Sequence, residues 1–314
     1  MLIITSLDQL HCQFDNVAMA LGTFDGVHLA HQFVIGRAVE WSKIHSGASM
    51  VFTFSNHPLS VIHPQRVPPQ LQTLAGKTAQ IRKQGVTVLV RIPFTKELLH
   101  LPPADFVQLL AKKIRPRHIV VGPNYSFGDK GAGNPAMLTG LCQRYGIDTE
   151  ICPEIHEQGV MVSSTVIRGL LAAGEVDAAA KLLGRPFELT GRVVHGDHRG
   201  RTLGFPTANM QVAPQLLIPG KGVYVVRVKV GARYYNGLCN VGNNPTFVQG
   251  PLRVETHILD FNREIYGKPL TVKFIARLRS EKTFASAQDL IAQMNGDLQQ
   301  ARDKFFGQKN AGRM

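Results

Sequence analysis

Apolar positions along the chain fall into two regimes. Up to about residue 185, short continuous runs rich in Val and Ile alternate with segments of helical spacing. Residues 17–21, 49–54, 86–92 and 118–122 read as strands, and 28–44, 74–84, 103–114, 135–145 and 165–183 as helices. Strands that are apolar throughout have both faces covered, as in a parallel sheet. The βαβα order predicts a doubly wound α/β domain. From residue 186 strand-like segments dominate, at 188–195, 223–230, 234–241, 252–259 and 270–278, punctuated by Gly204-Phe205-Pro206 and Pro219-Gly220. They predict an antiparallel sheet or small barrel. Leu290, Met294, Leu298, Ala301 and Phe305 recur at helical spacing and predict a closing helix packed along that stripe. Two domains follow, 1–185 and 186–314, divided near Gly184-Arg185-Pro186.

Composition narrows the function classes. The chain has 314 residues, 35 basic and 22 acidic, for a net charge of +13. That excess suits polyanions, either nucleotides or nucleic acid. The basic residues are scattered, and base-stacking aromatics do not cluster with them, which argues against nucleic acid. No apolar run approaches the ~20 residues of a membrane span. The four cysteines form no Cys-x-x-Cys pair and no zinc spacing, and the N-terminus carries no secretory pattern. A cytoplasmic protein with reduced thiols, away from membranes, is expected.

Chemistry concentrates first in Gly22-Thr23-Phe24-Asp25-Gly26-Val27-His28-Leu29-Ala30-His31. An apolar strand ends there, Asp25-Gly26 reads as a turn, and a helix starts at His28. The i, i+3 spacing puts His28 and His31 on one face of the first helical turn. A helix N-terminus favours phosphate, and two imidazoles suit charge developing on a phosphoryl group. Two further strand ends, near His57 and near Asn124, lie where ligands bind in such sheets. Ser163-Ser164-Thr165 precedes a helix that it can cap, and Arg168 stands three residues beyond Thr165. Gly76-Lys77-Thr78 resembles the end of a P-loop, but the glycine required earlier is Leu71, so the match fails.

The second concentration runs from Gly191 to Asn209, with glycines at 191, 196, 200 and 204 and arginines at 199 and 201. Thr207 and Asn209 are two apart, so in extended chain they face one side. A hydroxyl and an amide oxygen suit Mg²⁺. Within 253–260, Glu255 and His257 share one strand face, opposite Val254, Thr256 and Ile258.

These segments carry a resemblance. Gly-x-Phe-Asp-Gly-x-His resembles the version of the nucleotidylyltransferase histidine motif found in bacterial FAD synthetases. Gly204-Phe205-Pro206-Thr207-Ala208-Asn209 resembles the hallmark of riboflavin kinases. From about residue 15 to about 305 the chain resembles the bacterial bifunctional riboflavin kinase/FAD synthetase family. The resemblance implies an α/β nucleotidylyltransferase module followed by a six-stranded β-barrel. It implies FMN from riboflavin and ATP, then FAD from FMN and ATP with release of pyrophosphate. It implies a first ATP site of Gly22, Phe24, Asp25, His28, His31, His57, Asn124, Ser164, Thr165 and Arg168. It implies a second of Gly196, Arg201, Gly204, Thr207 and Asn209, with Mg²⁺ on the last two. Glu255 would be the kinase base, and Arg279 and Phe284 would lie near the flavin. The chain departs from the family at Ala30, usually Gly, and at Met161, near which some relatives are basic. A riboflavin kinase with an impaired adenylyl site, and a basic nucleic-acid-binding protein, are the alternative readings.

Overall fold

The computed structural model describes residues 1–10, 14–196, 204–243 and 252–306. The chain packs as two compact units, Met1–Ser164 and Thr165–Met314. In the first, β1 (Leu2–Ile4), β2 (Ala18–Leu21), β3 (Ser49–Phe54), β4 (Val88–Ile92), β5 (His118–Val121) and β6 (Asp148–Ile151) form one sheet. Its order is β1-β4-β3-β2-β5-β6, and every pairing is parallel.

Alternation inside each apolar run sends side chains to two cores. Met19, Leu21, Phe52, Val90 and Val121 face one side, where α5 (Pro103–Lys113) and α6 (Pro135–Gln143) contribute Leu110 and Leu138. Ala18, Ala20, Val51, Leu89 and Val120 face the other. There α1 (Leu29–Ile44) supplies Val34, Ile35, Ala38 and Val39, and α3 (Leu74–Lys83) supplies Ile81. Two one-turn helices, α2 (Leu59–Ile62) and α4 (Lys96–Leu99), and a hairpin of β7 (His156–Glu157) and β8 (Val160–Met161) complete the unit. Both edge strands escaped the sequence pattern. β1 is three residues long with Leu2 half exposed, and β6, at the other edge of the sheet, is part polar with Asp148 and Ile151 exposed.

The segment expected as one helix over 165–183 is two, α7 (Ser164–Ala173) and α8 (Val176–Leu183). Gly174 separates them at φ +84°, a conformation in which no helix continues. Both helices belong by packing to the second unit, where α8 lies against β9 and β14. That unit is a closed antiparallel barrel of β9 (Phe187–Val194), β10 (Thr207–Val212), β11 (Gly222–Val230), β12 (Arg233–Gly242), β13 (Arg253–Ile258) and β14 (Pro269–Arg279). β10, polar at Thr207, Asn209 and Gln211, was legible only as an extended stretch, yet it closes the ring between β9 and β13.

The C-terminal helix, Ala287–Ala301, covers part of the barrel wall, with Leu298 and Ala301 against Val225, Leu238, Ile275 and Leu278. Phe305 does not continue that stripe. Residues Arg302–Phe306 form a π-helical turn, whose wider period delays the inward position by one residue. Phe306 packs in and Phe305 stays exposed. A buried ion pair locks the same helix. Asp297 accepts from Arg279 Nε at 3.0 Å and from Nη2 at 2.7 Å.

Two stability outcomes follow. Gly174→Ala adds a Cβ at positive φ, 2.8 Å from the Tyr224 hydroxyl. Urea unfolding of the second unit should lose more than ~1 kcal/mol. Asp297→Ala strands the Arg279 charge and should cost about 3–5 kcal/mol, whereas Arg279→Met with Asp297→Leu should come out near neutral.

Candidate functional site

Strands β2, β3 and β5 are neighbours, with Leu21 beside Phe52 and Ala20 beside Val120. Their carboxyl ends therefore open at one edge, at the place where the strand order reverses. A cavity of about 610 Å³ lies there. Gly22, Phe24, His28 and His31 reach it from the β2 end, His57 from the β3 end, Asn124 from the β5 end, and Ser164 from the start of α7. Phe54, Phe94, Leu98, Phe106 and Tyr125 give it an apolar wall.

The β2–α1 turn is unusual backbone. Phe24, Gly26 and Val27 all have positive φ, at 50°, 86° and 42°. Only glycine takes this region freely, and a β-branched Val there is strained. Side chains hold the turn by its carbonyls. Thr23 C=O accepts from Thr53 Oγ1 and from Lys77 Nζ, both at 3.0 Å. Phe24 C=O accepts from Gln72 at 3.1 Å, Asp25 C=O from Ser164 Oγ at 3.0 Å, and Val27 C=O from Gln32 at 2.9 Å. The Asp25 carboxylate accepts from the Leu71 N–H at 3.1 Å.

The histidines are oriented by the chain. His28 is the N-cap of α1, and its Nδ1 accepts from the His31 N–H at 3.3 Å. His57 Nδ1 accepts from the Leu59 N–H at 3.1 Å. Each ring must then carry its proton on Nε2, which makes that atom a donor. His28 and His31 stack with centroids 3.5 Å apart and planes 17° apart, and Phe24 meets His31 edge-on. A stacked pair at a helix N-terminus, with a third imidazole across the cavity, is suited to phosphate oxygens.

Other predicted residues have different placements. Asp25 lies outside the large cavity, in the wall of a smaller one with His57 and Lys77. Ser164 uses its hydroxyl hydrogen on Asp25 C=O. Thr165 and Arg168 follow on α7, within the second compact unit. Ala30 and Met161 both line the large cavity. Sequence reasoning missed Lys77, whose ammonium donates to Phe54 C=O at 2.8 Å as well as to Thr23. Burial pushes its pKa down to about 8, against a pull upward from Asp25.

In the second unit, β13 alternates as expected: Val254, Thr256 and Ile258 are buried, and Arg253, Glu255 and His257 are only half-buried. Asn209 pairs across from Glu255, and Thr207 from His257. Thr207, Asn209 and Glu255 thus share one barrel face. A cavity of about 230 Å³ adjoins them, lined by Gly196, Thr207, Asn209 and Tyr266 but not by Glu255. Gly196 packs directly on the Asn209 amide, where any Cβ would collide. Gly204 has φ +82°, in the turn before β10. Arg201 lies outside the described residues. Arg279 is bound to Asp297 and sits 5.9 Å from the Phe284 ring centroid. Among the described residues no three His, Cys, Asp or Glu side chains form a metal cluster.

Known proteins match this arrangement in tandem. Residues 11–166 match the FAD synthetase family and residues 183–305 the riboflavin kinase family. A bifunctional riboflavin kinase/FMN adenylyltransferase from Bacillus subtilis is 37% identical over 288 residues, 90% of each chain. The protein of the same description from Listeria monocytogenes is 38% identical over 292 residues, covering 92% of this chain and 93% of its own. A crystal structure described as a macrolide-efflux protein from Streptococcus pneumoniae superposes with a TM-score of 0.87 at 29% identity, covering 97% of this chain and 99% of its own. Among the described residues, no helix is long and apolar enough to cross a membrane. With both family patterns in order, and identity above 30% over nine-tenths of its relatives, the chain belongs to the bifunctional riboflavin kinase/FMN adenylyltransferase family.

Proposed function

We propose that the two reactions of this bifunctional enzyme divide between the two sites. The chain makes FMN from riboflavin and ATP, and FAD from FMN and ATP. Adenylylation belongs to residues 1–185 and phosphorylation to 186–314. Family matches over residues 11–166 and 183–305 support two modules in that order. A cytoplasmic enzyme is the reading that suits three free, buried thiols, Cys142, Cys152 and Cys239.

The observation that carries the first assignment is three imidazoles, His28, His31 and His57, lining one cavity with Asn124. The FMN phosphate attacks the α-phosphorus of ATP and pyrophosphate leaves. No protein nucleophile is needed, so the site acts by positioning and by charge stabilisation. Nε2–H donors from His28 and His57 meet the phosphate oxygens, Asn124 serves the adenine edge or a phosphate, and the apolar wall receives the flavin ring. Gly22, Phe24, Asp25 and Ser164 shape the turn that presents the histidines. Thr165 and Arg168 join the triphosphate contacts by family resemblance.

For the kinase, Glu255 opposite Asn209 is the supporting geometry. Glu255 accepts the proton of the ribityl 5′-hydroxyl as that oxygen attacks the γ-phosphorus and ADP leaves. Thr207 and Asn209 offer uncharged hard oxygens beside a carboxylate, a donor set that fits Mg²⁺. Bound there, the ion would neutralise charge on the ATP phosphates. By family resemblance Gly196, Gly204 and Arg201 serve the ATP phosphates, and Arg279 and Phe284 border the flavin. The net charge of +13 suits two sites that each bind a triphosphate.

The sites are separable by mutation, with products resolved chromatographically. His28→Ala should lower FAD formation from FMN by on the order of 10²–10³-fold and leave FMN formation from riboflavin intact. Glu255→Ala should lower FMN formation by on the order of 10²–10⁴-fold and spare FAD formation. Loss of both activities from either change, in a folded protein, would break the assignment.

A further inference from the structure

Lys77 is a half-buried cation to which the two-site reading gives no role. It sits on α3, on the face that also carries Ile81, and its Nζ meets three acceptors. These are Thr23 C=O at 3.0 Å, Phe54 C=O at 2.8 Å and Thr53 Oγ1 at 3.5 Å. Thr23 opens the strained turn that ends at His28. Phe54 is the last residue of β3, three residues before His57. One ammonium therefore ties together the two segments that carry the catalytic imidazoles. No single neutral side chain offers three donors in one tetrahedral head. Asn56 fixes the far side of the same segment, accepting from Phe94 N–H at 2.7 Å and donating to Phe94 C=O at 3.1 Å. The chain leading into His57 is thus held at Phe54 by a charge and at Asn56 by an amide.

We propose that Lys77 is a positioning residue for adenylyl transfer, its ammonium bridging Thr23 and Phe54 so that His57 stands in fixed register with His28 and His31. The inference rests on the reading of the first site as the adenylyltransferase. It requires Lys77 to be protonated. A neutral amine keeps two N–H donors and turns a lone pair toward an acceptor. The charged and titratable groups around it are Asp25, which favours the ammonium, Arg91, which opposes it, and His57 in the shared small cavity. With a pKa near 8, the strut loosens as pH rises through that value.

The test uses the full-length protein with both activities followed in parallel. FAD formation from FMN and ATP should show kcat/KM falling as pH rises through about 8, while FMN formation from riboflavin reports that the protein is intact. Lys77→Met, nearly isosteric, should lower kcat for FAD formation by about 10–100-fold, change the KM for ATP little, abolish that alkaline limb and leave riboflavin phosphorylation unchanged. Lys77→Gln, which retains two donors without charge, should fall between the two and also lack the limb. Independently of turnover, the His57 imidazole proton resonance of the free wild-type protein should show an inflection near pH 8 that Lys77→Met removes. A flat wild-type profile and resonance through that range, or a Lys77→Met protein with wild-type kcat, overturns the strut. A wild-type protein that makes no FAD at any pH, with the His57 inflection present, overturns the site assignment instead and leaves the strut standing.

Discussion

The first site depends on four carbonyls. Those of Thr23, Phe24, Asp25 and Val27 each accept from a side chain, and the five donors are Thr53, Lys77, Gln72, Ser164 and Gln32. The turn needs this. Phe24 and Val27 hold positive φ, at a cost of roughly 1–3 kcal/mol each. Five hydrogen bonds, at roughly 0.5–1.5 kcal/mol net apiece, are of the size required to offset it. Without them the chain would leave β2 by an ordinary turn, and His28 would not cap α1 with its Nδ1 facing the His31 amide. The strain and the tautomer of His28 are consequences of one clamp.

The barrel positions its groups by a different constraint. Closure removes edge strands and fixes register all round the ring, so a residue's face follows from its parity. Glu255, polar and between two buried neighbours, can only stand outward, and register puts it between Asn209 of β10 and Asn240 of β12. No strained turn is needed, because the sheet itself sets the spacing. Val223–Val226, by contrast, are buried at every position. Their outer face is covered, as the contact of Val225 with Ala301 shows.

Much of this is legible in the sequence. Apolar runs at 49–54 and 118–122 match β3 within its limits and β5 within one residue, because strands buried on both faces cannot hide their hydrophobicity. The histidine pair, the Thr207–Asn209 parity and the Glu255 face were legible because they depend only on helical and extended periods. What was missed depends on partners distant in sequence. β1 and β6 are strands only because β4 and β5 offer them an edge. The break at Gly174 reads as an ordinary helical glycine until its φ is known. The division after Ser164 reflects the packing of α8 on the barrel, which no local pattern encodes.

Lys77 illustrates the limit most sharply. Within a segment rightly read as helical, it lies on the same side as Ile81, four residues on, and a lysine on an apolar face is a signal in its own right. Its neighbours Gly76 and Thr78 suggest a phosphate loop, but the earlier glycine such a loop requires is Leu71. The structure separates the two questions. Gly76 and Lys77 lie at the start of α3, where the Gly76 N–H donates to the capping Thr73 Oγ1 at 3.0 Å and the Lys77 N–H to Thr73 C=O at 2.8 Å, so neither amide is open to a phosphate. The ammonium instead points its donors at carbonyls of the turn and of β3. A lysine ammonium drawn partly out of water is costly unless its protons are met. At this one position, two strand ends that must stay in register supply the acceptors that meet them.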